Sequence, residues 1–291
     1  MNGIVIIDKQ KGVTSRDIVN DAVKKLGIKK IGHTGTLDPQ ATGVLVLCVG
    51  NNTKLVPIFT HLDKCYIASI MLGTLTDTLD ITGNILKEEK VNIPKEKIID
   101  VISSFKGSYM QEVPIYSAVK IKGKKLYEYA RSNEYVDLPK RKVEIKSISI
   151  VGDIEYIDNK IRFNIICEVS SGTYIRALIK DIAAKLNTIG IMTDLRRIRV
   201  GNFKLEDSIK ISELDNTKLI NCINYLDYKK IKIDDSISKK VLNGAIIDNK
   251  YNEDVLFIKD GEAIAIYKQY LKDLSKMKPY IMIKGGNLWH W

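Results

Sequence analysis

"KKIGHTGTLDPQATGVLVLCVG", residues 29–50, carries an acidic residue on a stiff turn directly ahead of an apolar run. Asp38 precedes Pro39, and a residue before proline is pushed out of the helical region toward an extended backbone. Gly32, Gly35 and Gly43 permit tight turns and the close approach of a partner. The pattern predicts a constrained loop that aims the Asp38 carboxylate, followed by a buried strand. An Asp that only caps a turn is the alternative.

The segments on either side predict strands and helices that alternate irregularly. Thr14 and Asp17 have the spacing of a helical capping box, apolar residues continue at helical spacing to Leu26, and Gly27 ends the helix. Two long strands are predicted to join at Asp158–Asn159. This order favours an α+β fold with a mixed, largely antiparallel sheet flanked by helices. The predicted strands cover residues 3–9, 43–50, 65–73, 141–157, 160–170 and 189–203, and the predicted helices 14–26, 53–61, 94–105 and 172–187.

The length of 291 residues suggests about two domains. The pattern changes near residue 227, and the shorter stretch that follows combines one short helix, several short strands and a Gly-rich "IKGGN" at 283–287. No signal-peptide pattern begins the chain, and no apolar run approaches the ~20 residues of a membrane-spanning helix. We therefore expect a cytoplasmic protein without a membrane partner.

Cysteine and histidine usage gives no metal signature. The four cysteines form no CxxC pair and the three histidines are scattered, so neither a metal site nor a metal cofactor is expected. Cys48 and Cys167 lie inside apolar, strand-like runs, which predicts buried core thiols.

A net charge of +11 favours a polyanionic partner, although a solvated Lys-rich surface gives the same balance. Residues 120–142 hold eight basic and three acidic residues, a local charge of +5, with tyrosines among them. Basic groups mixed with aromatic rings hold phosphates and stack on bases. This segment is the first candidate for contact with a nucleic acid.

The central motif "GHTGTLDPQATGVL", residues 32–45, closely resembles the signature of the TruB family of tRNA pseudouridine synthases. Five further blocks resemble the same family in order, from residue 3 to about residue 205. They are "VIIDKQKGVTS" (5–15), "DKCYIASIMLGTLTDTLDITG" (63–83), "PIYSAVKIKGKKLYEYAR" (114–131), "SSGTYIRALIKDIA" (170–183) and "LRRIRVGNF" (195–203).

The resemblance implies a role for each of several residues. Asp38 is the implied catalytic nucleophile, although a carboxylate that abstracts a sugar proton is equally compatible with the residues. The resemblance further implies that Tyr66 packs on the uracil and takes the C5 proton with its hydroxyl, and that Arg176 pairs with Asp38. Tyr174 and Leu195 are implied to line the pocket, and His33 to stack on the displaced base or in the gap it leaves. The remaining implied site residues are Lys9, and Lys120 and Lys122 in an RNA-contacting insertion at about 112–142.

Each of these residues also has a plain structural interpretation. By residue type alone, Tyr66 is a core aromatic, His33 a structural histidine, Arg176 a surface charge on its helix and Lys9 a solvated lysine.

The function implied by the resemblance is conversion of uridine 55 in the T loop of tRNA to pseudouridine, by a monomer that needs no cofactor, metal or guide RNA. The implied architecture is a pseudouridine synthase catalytic domain at 1–227 and a small PUA-like RNA-binding domain at 228–291, for which a stabilising cap without RNA contact is the alternative. Two rival functions are a non-catalytic tRNA-binding or folding module on the same scaffold and a guide-dependent rRNA modifier.

Overall fold

Strands make up most of the regular structure in the computed structural model, which describes residues 1–284. The strands are β1 (Gly3–Lys9), β2 (Ile31–His33), β3 (Thr42–Val49), β4 (Lys64–Leu72), β5 (Thr74–Thr76), β6 (Ile85–Glu88), β7 (Gly107–Glu112), β8 (Lys120–Ile121), β9 (Lys124–Lys125), β10 (Lys140–Ile157), β11 (Lys160–Val169), β12 (Gly190–Val200), β13 (Phe203–Lys204), β14 (Lys229–Lys232), β15 (Ile247–Asp248), β16 (Val255–Lys259), β17 (Glu262–Gln269) and β18 (Lys276–Met282). The helices are α1 (Ser15–Leu26), α2 (Val56–Thr60), α3 (Lys95–Ser103), α4 (Leu126–Arg131), α5 (Ile175–Lys185) and α6 (Asp235–Leu242).

The chain forms two units that are not continuous in sequence. The first contains residues 1–38, 45–60 and the chain from residue 206 onward, and the second contains residues 39–44 and 61–205. The predicted domain boundary near residue 227 stays a prediction.

In the first unit, helix α1 packs on strands β1 and β3. Thr14 caps the helix and forms the predicted capping box with Asp17, and Gly27 ends it with a left-handed backbone, φ 67°. Helical periodicity therefore turns one stripe of α1 toward the strands. Each buried Val, Ile or Leu side chain of the resulting cluster contributes about 1.5–3 kcal/mol. The cluster includes Val5, Ile7, Ile18, Val19, Ala22, Leu26, Leu45, Leu47 and Val49.

The carboxy-terminal part of this unit forms a separate sheet with the strand order β14-β16-β17-β18-β15. Strand β14 runs parallel to β16, and the other pairs are antiparallel. Tyr267 is fully buried within it and donates its hydroxyl proton to the carbonyl of Ala245 at 3.0 Å. The predicted short helix is present as α6. Residues 285–291, which include most of the Gly-rich motif, lie outside the described residues.

The second unit is built on a sheet in which the first residues of β3 are followed by β12, β4, β11, β10 and β7, in that order. Strand β12 is parallel to β3, and the remaining pairs are antiparallel. The predicted turn at Asp158–Asn159 joins β10 to β11 with positive φ at both residues, 52° and 60°, as a two-residue hairpin of the favoured type requires. The predicted α+β fold with a mixed, largely antiparallel sheet is confirmed.

The predicted helix at 53–61 differs in detail. The chain first makes a 3₁₀-helix, Gly50–Leu55, and the α-helix begins only at Val56. Pro57 has no N–H and suits the first turn of an α-helix, so it fixes where α2 starts and does not disturb a longer helix.

All four cysteines are buried free thiols, as predicted for Cys48 and Cys167. In the part of the chain that the structure describes, the helices are too short or too polar to cross a membrane.

Candidate active site

Asp38 lies on the loop between β2 and β3 and belongs to the first unit. The two strands pair antiparallel, with His33 opposite Leu47, and the N–H of Thr34 donates to the carbonyl of Val46 at 3.1 Å. This ladder fixes where the loop begins. The Asp38 side chain is half-buried.

The residue before Asp38 is held by a serine from the start of helix α1. The N–H of Leu37 donates to the Ser15 hydroxyl oxygen at 2.9 Å, and that hydroxyl donates to the Leu37 carbonyl at 3.1 Å. Ser15 is 2% exposed and Leu37 3% exposed. One side chain therefore satisfies both backbone groups of the residue that precedes the candidate nucleophile.

His33 forms a hydrogen bond within the first residues of the loop. The N–H of Gly35 donates to His33 Nδ1 at 3.3 Å. An accepting Nδ1 favours the neutral tautomer that carries its proton on Nε2. His33 itself is half-buried.

Lys9 is fully buried, so its interpretation as a solvated lysine is wrong. Its Nζ donates to the carbonyl of Val13 at 2.7 Å and to that of Gln10 at 3.0 Å. In this position the ammonium group holds the turn that leads into helix α1, two residues before Ser15.

In the second unit, Tyr66 and Leu195 lie on neighbouring antiparallel strands. Tyr66 is opposite Arg197, and Leu195 is opposite Ala68. Side chains two residues apart along a strand point to the same face, so Tyr66 and Ala68 share a face of β4. Tyr66 and Leu195 are each 7% exposed.

A glycine lets β3 approach β12 closely at this level of the sheet. Gly43 pairs with Arg197, has a φ of 99°, and would place a Cβ against the Arg197 carbonyl oxygen. Only a residue without a side chain fits here. Arg197 is buried, and its Nε donates to the carbonyl of Val44 at 2.7 Å. Gly43 in the opening motif therefore has a structural role.

Arg176, on the first turn of α5, is 7% exposed, so its interpretation as a surface charge is wrong. Its Nη1 donates to the carbonyl of Thr78 at 2.9 Å and its Nη2 to the carbonyl of Tyr116 at 3.0 Å. The carboxylate of Asp80 lies 3.9 Å from Nη1. These contacts hold the planar guanidinium in one orientation.

Asp80 is a site residue that the sequence did not single out. The hydroxyls of Thr78 and Thr82 donate to its Oδ1 at 2.8 and 2.6 Å, while Oδ2 faces Arg176. Leu79, just before it, has a φ of 63°, an uncommon conformation for a bulky residue. This loop thus carries a fixed carboxylate for Arg176.

A fully buried glutamine binds the backbone of Tyr174, which occupies the N-cap position of α5. Gln111 accepts from the Tyr174 N–H at 2.8 Å and donates to the Tyr174 carbonyl at 3.2 Å and to the Tyr109 hydroxyl at 2.7 Å. The Tyr109 hydroxyl also bonds the Asp181 carboxylate. Burial is the main cause that raises the pKa of Tyr109 and of Asp181. This network ties β7 to both the start and the middle of α5.

The basic segment contains a small hairpin and a short helix. Lys122 occupies the turn between β8 and β9 with a φ of 49°, and Lys120 and Lys122 are exposed. Lys124 instead binds Glu134 at 2.6 Å and lies 4.6 Å from the centre of the Tyr129 ring.

Lys125, beside Lys124, lies 5.3 Å from the centre of the Tyr127 ring. The four lysines of the β8–β9 hairpin are therefore not equivalent. Lys124 and Lys125 are held by their own segment, and Lys120 and Lys122 are exposed.

The candidate residues are divided between the two units. Lys9, His33 and Asp38 belong to the first, and Tyr66, Tyr174, Arg176, Leu195, Lys120 and Lys122 belong to the second. Ser15, Asp80 and Gln111 join them as residues missed from the sequence. Within residues 1–284, no group of three or more His, Cys, Asp or Glu side chains is placed to hold a metal ion.

Comparison with known proteins gives family matches over most of the chain. A family model described as "TruB family pseudouridylate synthase (N terminal domain)" matches residues 23–175, and one described as "tRNA pseudouridylate synthase B C-terminal domain" matches residues 176–227. The chain is 41% identical over 284 residues to a tRNA pseudouridine synthase B of Mesoplasma florum, with 95% of this chain and 97% of the relative covered. It is 40% identical to a tRNA pseudouridine synthase B of Staphylococcus aureus, with coverages of 96% and 98%.

The fold is also similar to a solved structure, the crystal structure of a Cbf5-Nop10-Gar1 complex. The TM-score is 0.69 and the identity 25%, with 97% of this chain and 85% of the other covered. Together with the two family matches and the 40% identical relatives, this similarity confirms the resemblance drawn from the sequence motifs. The chain belongs to the TruB family of pseudouridylate synthases, which are isomerases.

Proposed function

We propose that this chain converts uridine 55 in the T loop of tRNA to pseudouridine and that Asp38 is its catalytic carboxylate. Two relatives about 40% identical over nearly the whole chain bear the name tRNA pseudouridine synthase B. The observation that carries the role of Asp38 is its loop, which Ser15 anchors through Leu37 at the adjacent residue. Basic lysines at a hairpin tip supply partners for an RNA backbone.

The reaction rearranges one nucleotide without gain or loss of atoms. The N1–C1′ glycosidic bond breaks, the uracil turns, C5 bonds to C1′, the proton on C5 leaves and N1 gains a proton. A carboxylate serves such a reaction as a covalent nucleophile at C1′, which divides one hard step into two easier ones. It serves equally by accepting a proton from the sugar. Both roles need Asp38 ionised.

The remaining residues take the roles that the family resemblance implies. Arg176 supplies a positive charge to the site, and the orientation of its guanidinium is fixed by Thr78, Tyr116 and Asp80. The Tyr66 ring packs on the uracil, and its hydroxyl accepts the C5 proton late in the reaction. Tyr174 and Leu195 line the pocket.

The target uridine must leave the RNA stack to reach a carboxylate, which costs a few kcal/mol. His33 stacks on the displaced base or fills the gap that it leaves, and Lys120 and Lys122 bind phosphates. Lys9 supports the turn before α1 through its two carbonyl contacts.

The test is Asp38→Asn assayed on an isolated T-arm hairpin, with no guide RNA and no partner protein. The amide keeps the size of the side chain, and the backbone contacts of Leu37 still hold the loop, so hairpin affinity by filter binding should change only modestly. Pseudouridine yield should vanish, because an amide neither attacks C1′ nor accepts the sugar proton. Full yield in the variant would refute Asp38 as the catalytic carboxylate.

The same assay separates two alternatives. A native chain that binds the hairpin without modifying it would be the non-catalytic tRNA-binding module. The Cbf5-Nop10-Gar1 complex found among similar structures is an assembly of several proteins, so the second alternative, a guide-dependent rRNA modifier, is tested with partner proteins as well as guide RNA. A native chain that acts only after guide RNA and partner proteins are added would favour that alternative.

A further inference from the structure

The amino-terminal turn of α1 and the loop of Asp38 are joined by a single hydroxyl group. Ser15 and Leu37 are 22 residues apart, and the Ser15 hydroxyl both accepts from the Leu37 N–H at 2.9 Å and donates to the Leu37 carbonyl at 3.1 Å. Both residues are almost completely buried. A buried backbone N–H or carbonyl needs a partner, and here one side chain supplies both.

This contact fixes the backbone immediately before Asp38. The Leu37 side chain is buried, so Leu37 is held at three points: its N–H, its carbonyl and its side chain. The Leu37 carbonyl belongs to the peptide bond that leads into Asp38. Because that peptide is planar, its orientation sets the direction in which the Asp38 main chain starts.

The serine is itself rigidly placed. It is the first residue of α1, directly after the cap residue Thr14. The reciprocal bonds of Thr14 with Asp17, at 3.1 Å and 2.9 Å, hold this end of the helix. Lys9 fixes the carbonyl of Val13 on the other side. Ser15 therefore connects a fixed helix end to the loop that contains Asp38.

We propose that Ser15 is a positioning residue for catalysis, which holds the Asp38 carboxylate in its reactive place through Leu37. This inference rests on the proposed role of Asp38. Without the hydroxyl, the Leu37 N–H and carbonyl lose their shared partner in a buried place. The loop then shifts to reach other partners, and Asp38 moves with it. A displacement of about 1 Å is enough to slow a reaction by about 100-fold.

The test is Ser15→Ala in the full chain, assayed for steady-state turnover on the T-arm hairpin. We expect kcat to fall by about 10- to 100-fold while KM and hairpin affinity change by less than about twofold, because the contacts that bind RNA lie elsewhere. Circular dichroism and a melting curve establish that the variant is folded at the assay temperature.

Val23→Ala is the matched control. It weakens the same helix, since it removes two methyl groups from a side chain that packs α1 on the core, but leaves the helix cap and the Ser15–Leu37 contact in place. It should lower the melting temperature without lowering kcat. Ser15→Thr restores a hydroxyl and should recover most of the lost turnover, even if its added methyl group lowers the melting temperature.

The outcomes distinguish this inference from the proposed function. A kcat of Ser15→Ala close to the native value, beside an inactive Asp38→Asn protein, would overturn the inference alone. An equal loss of kcat in Val23→Ala would also overturn it, because helix stability would then explain the effect. An active Asp38→Asn protein would overturn the proposed function itself.

Discussion

At the scale of single residues, Lys64 is a buried cation beside the predicted site residue Tyr66. Its Nζ donates to the carbonyl of Leu62 at 2.7 Å, and the residue is 6% exposed. Burial is the main cause that lowers the pKa of Lys64 to about 8; the positive charge of Arg197 acts in the same direction, and Asp63 acts in the opposite direction. Folding therefore disfavours the charged form of this side chain.

The stability of the native chain should rise with pH in a window set by this residue. Below about pH 8, Lys64 is protonated in both the folded and the unfolded chain, and its burial penalty is present in full. Between about 8 and 10.5 the unfolded chain binds the proton and the folded chain does not, so stability rises. Relative to Lys64→Met, the native chain should gain up to about 3 kcal/mol of unfolding free energy across the window, at about 1.4 kcal/mol per pKa unit.

Urea unfolding of both proteins at about pH 7 and about pH 10 measures this gain. Lys146→Met is the matched control, because Lys146 is exposed and its hydrogen bond with Asp63 raises its pKa. The contact between Lys146 and Asp63 is lost only above this window. The difference in unfolding free energy between Lys146→Met and the native chain should therefore stay constant across it. A difference between Lys64→Met and the native chain that does not change with pH would contradict the low pKa.

At the scale of elements, the β8–β9 hairpin presents two pairs of lysines with different surroundings. Lys120 and Lys122 are exposed. Lys124 is paired with Glu134 and Tyr129, and Lys125 lies near Tyr127. A cation that is already paired within the protein has less to gain from a phosphate.

The variant Lys120→Gln/Lys122→Gln should therefore weaken tRNA binding and make its salt dependence shallower. Each phosphate contact contributes about 0.7–0.9 to the slope of log affinity against log salt, so a decrease of up to about 1.8 is expected. Lys124→Gln/Lys125→Gln removes the same charge from the same hairpin and should change the slope less. Filter binding across a salt titration gives both slopes, and equal slopes for the two variants would argue against the hairpin tip as the contact.

The features that were predicted well from the sequence depend on residues close together in the chain. Helix α1 was predicted from Thr14 to Gly27 because capping and helical spacing are local signals. The turn at Asp158–Asn159 was predicted because asparagine and aspartate tolerate positive φ. Such signals require only residues a few positions apart.

Contacts between distant segments were missed for the opposite reason. Ser15 meets Leu37 across 22 residues, and Gln111 meets Tyr174 across 63. Asp80 and the carbonyl of Thr78 both lie against Arg176, and Thr78 is 98 residues before it. Motif resemblance named the proposed site residues, whereas the residues that hold them in place become visible only when the tertiary fold is known.

At the scale of the whole molecule, the residues after 227 belong to the same unit as the start of the chain. The segment before them is bonded to β1, through bridges of Ile4 with Ile220 and of Ile7 with Ile209. It also reaches the later sheet, since Asn221 donates to the carbonyl of Gly261 at 2.9 Å. A cut after Asp227 keeps the bridges to β1 and removes the contact with Gly261.

Removing residues 228–291 should consequently leave a folded but less stable enzyme. Every proposed site residue precedes the cut, so kcat should stay within about threefold of the native value. If this carboxy-terminal part binds the tRNA, KM should rise by about tenfold or more, because lost ground-state contacts appear in KM when the reacting groups are intact. Steady-state kinetics on full-length tRNA and on the T-arm hairpin, with a melting curve for each protein, measure these effects.

A KM increase on tRNA but not on the hairpin would locate the lost contact outside the T arm. Native kinetics with a lower melting temperature would instead make the carboxy-terminal part a stabilising cap.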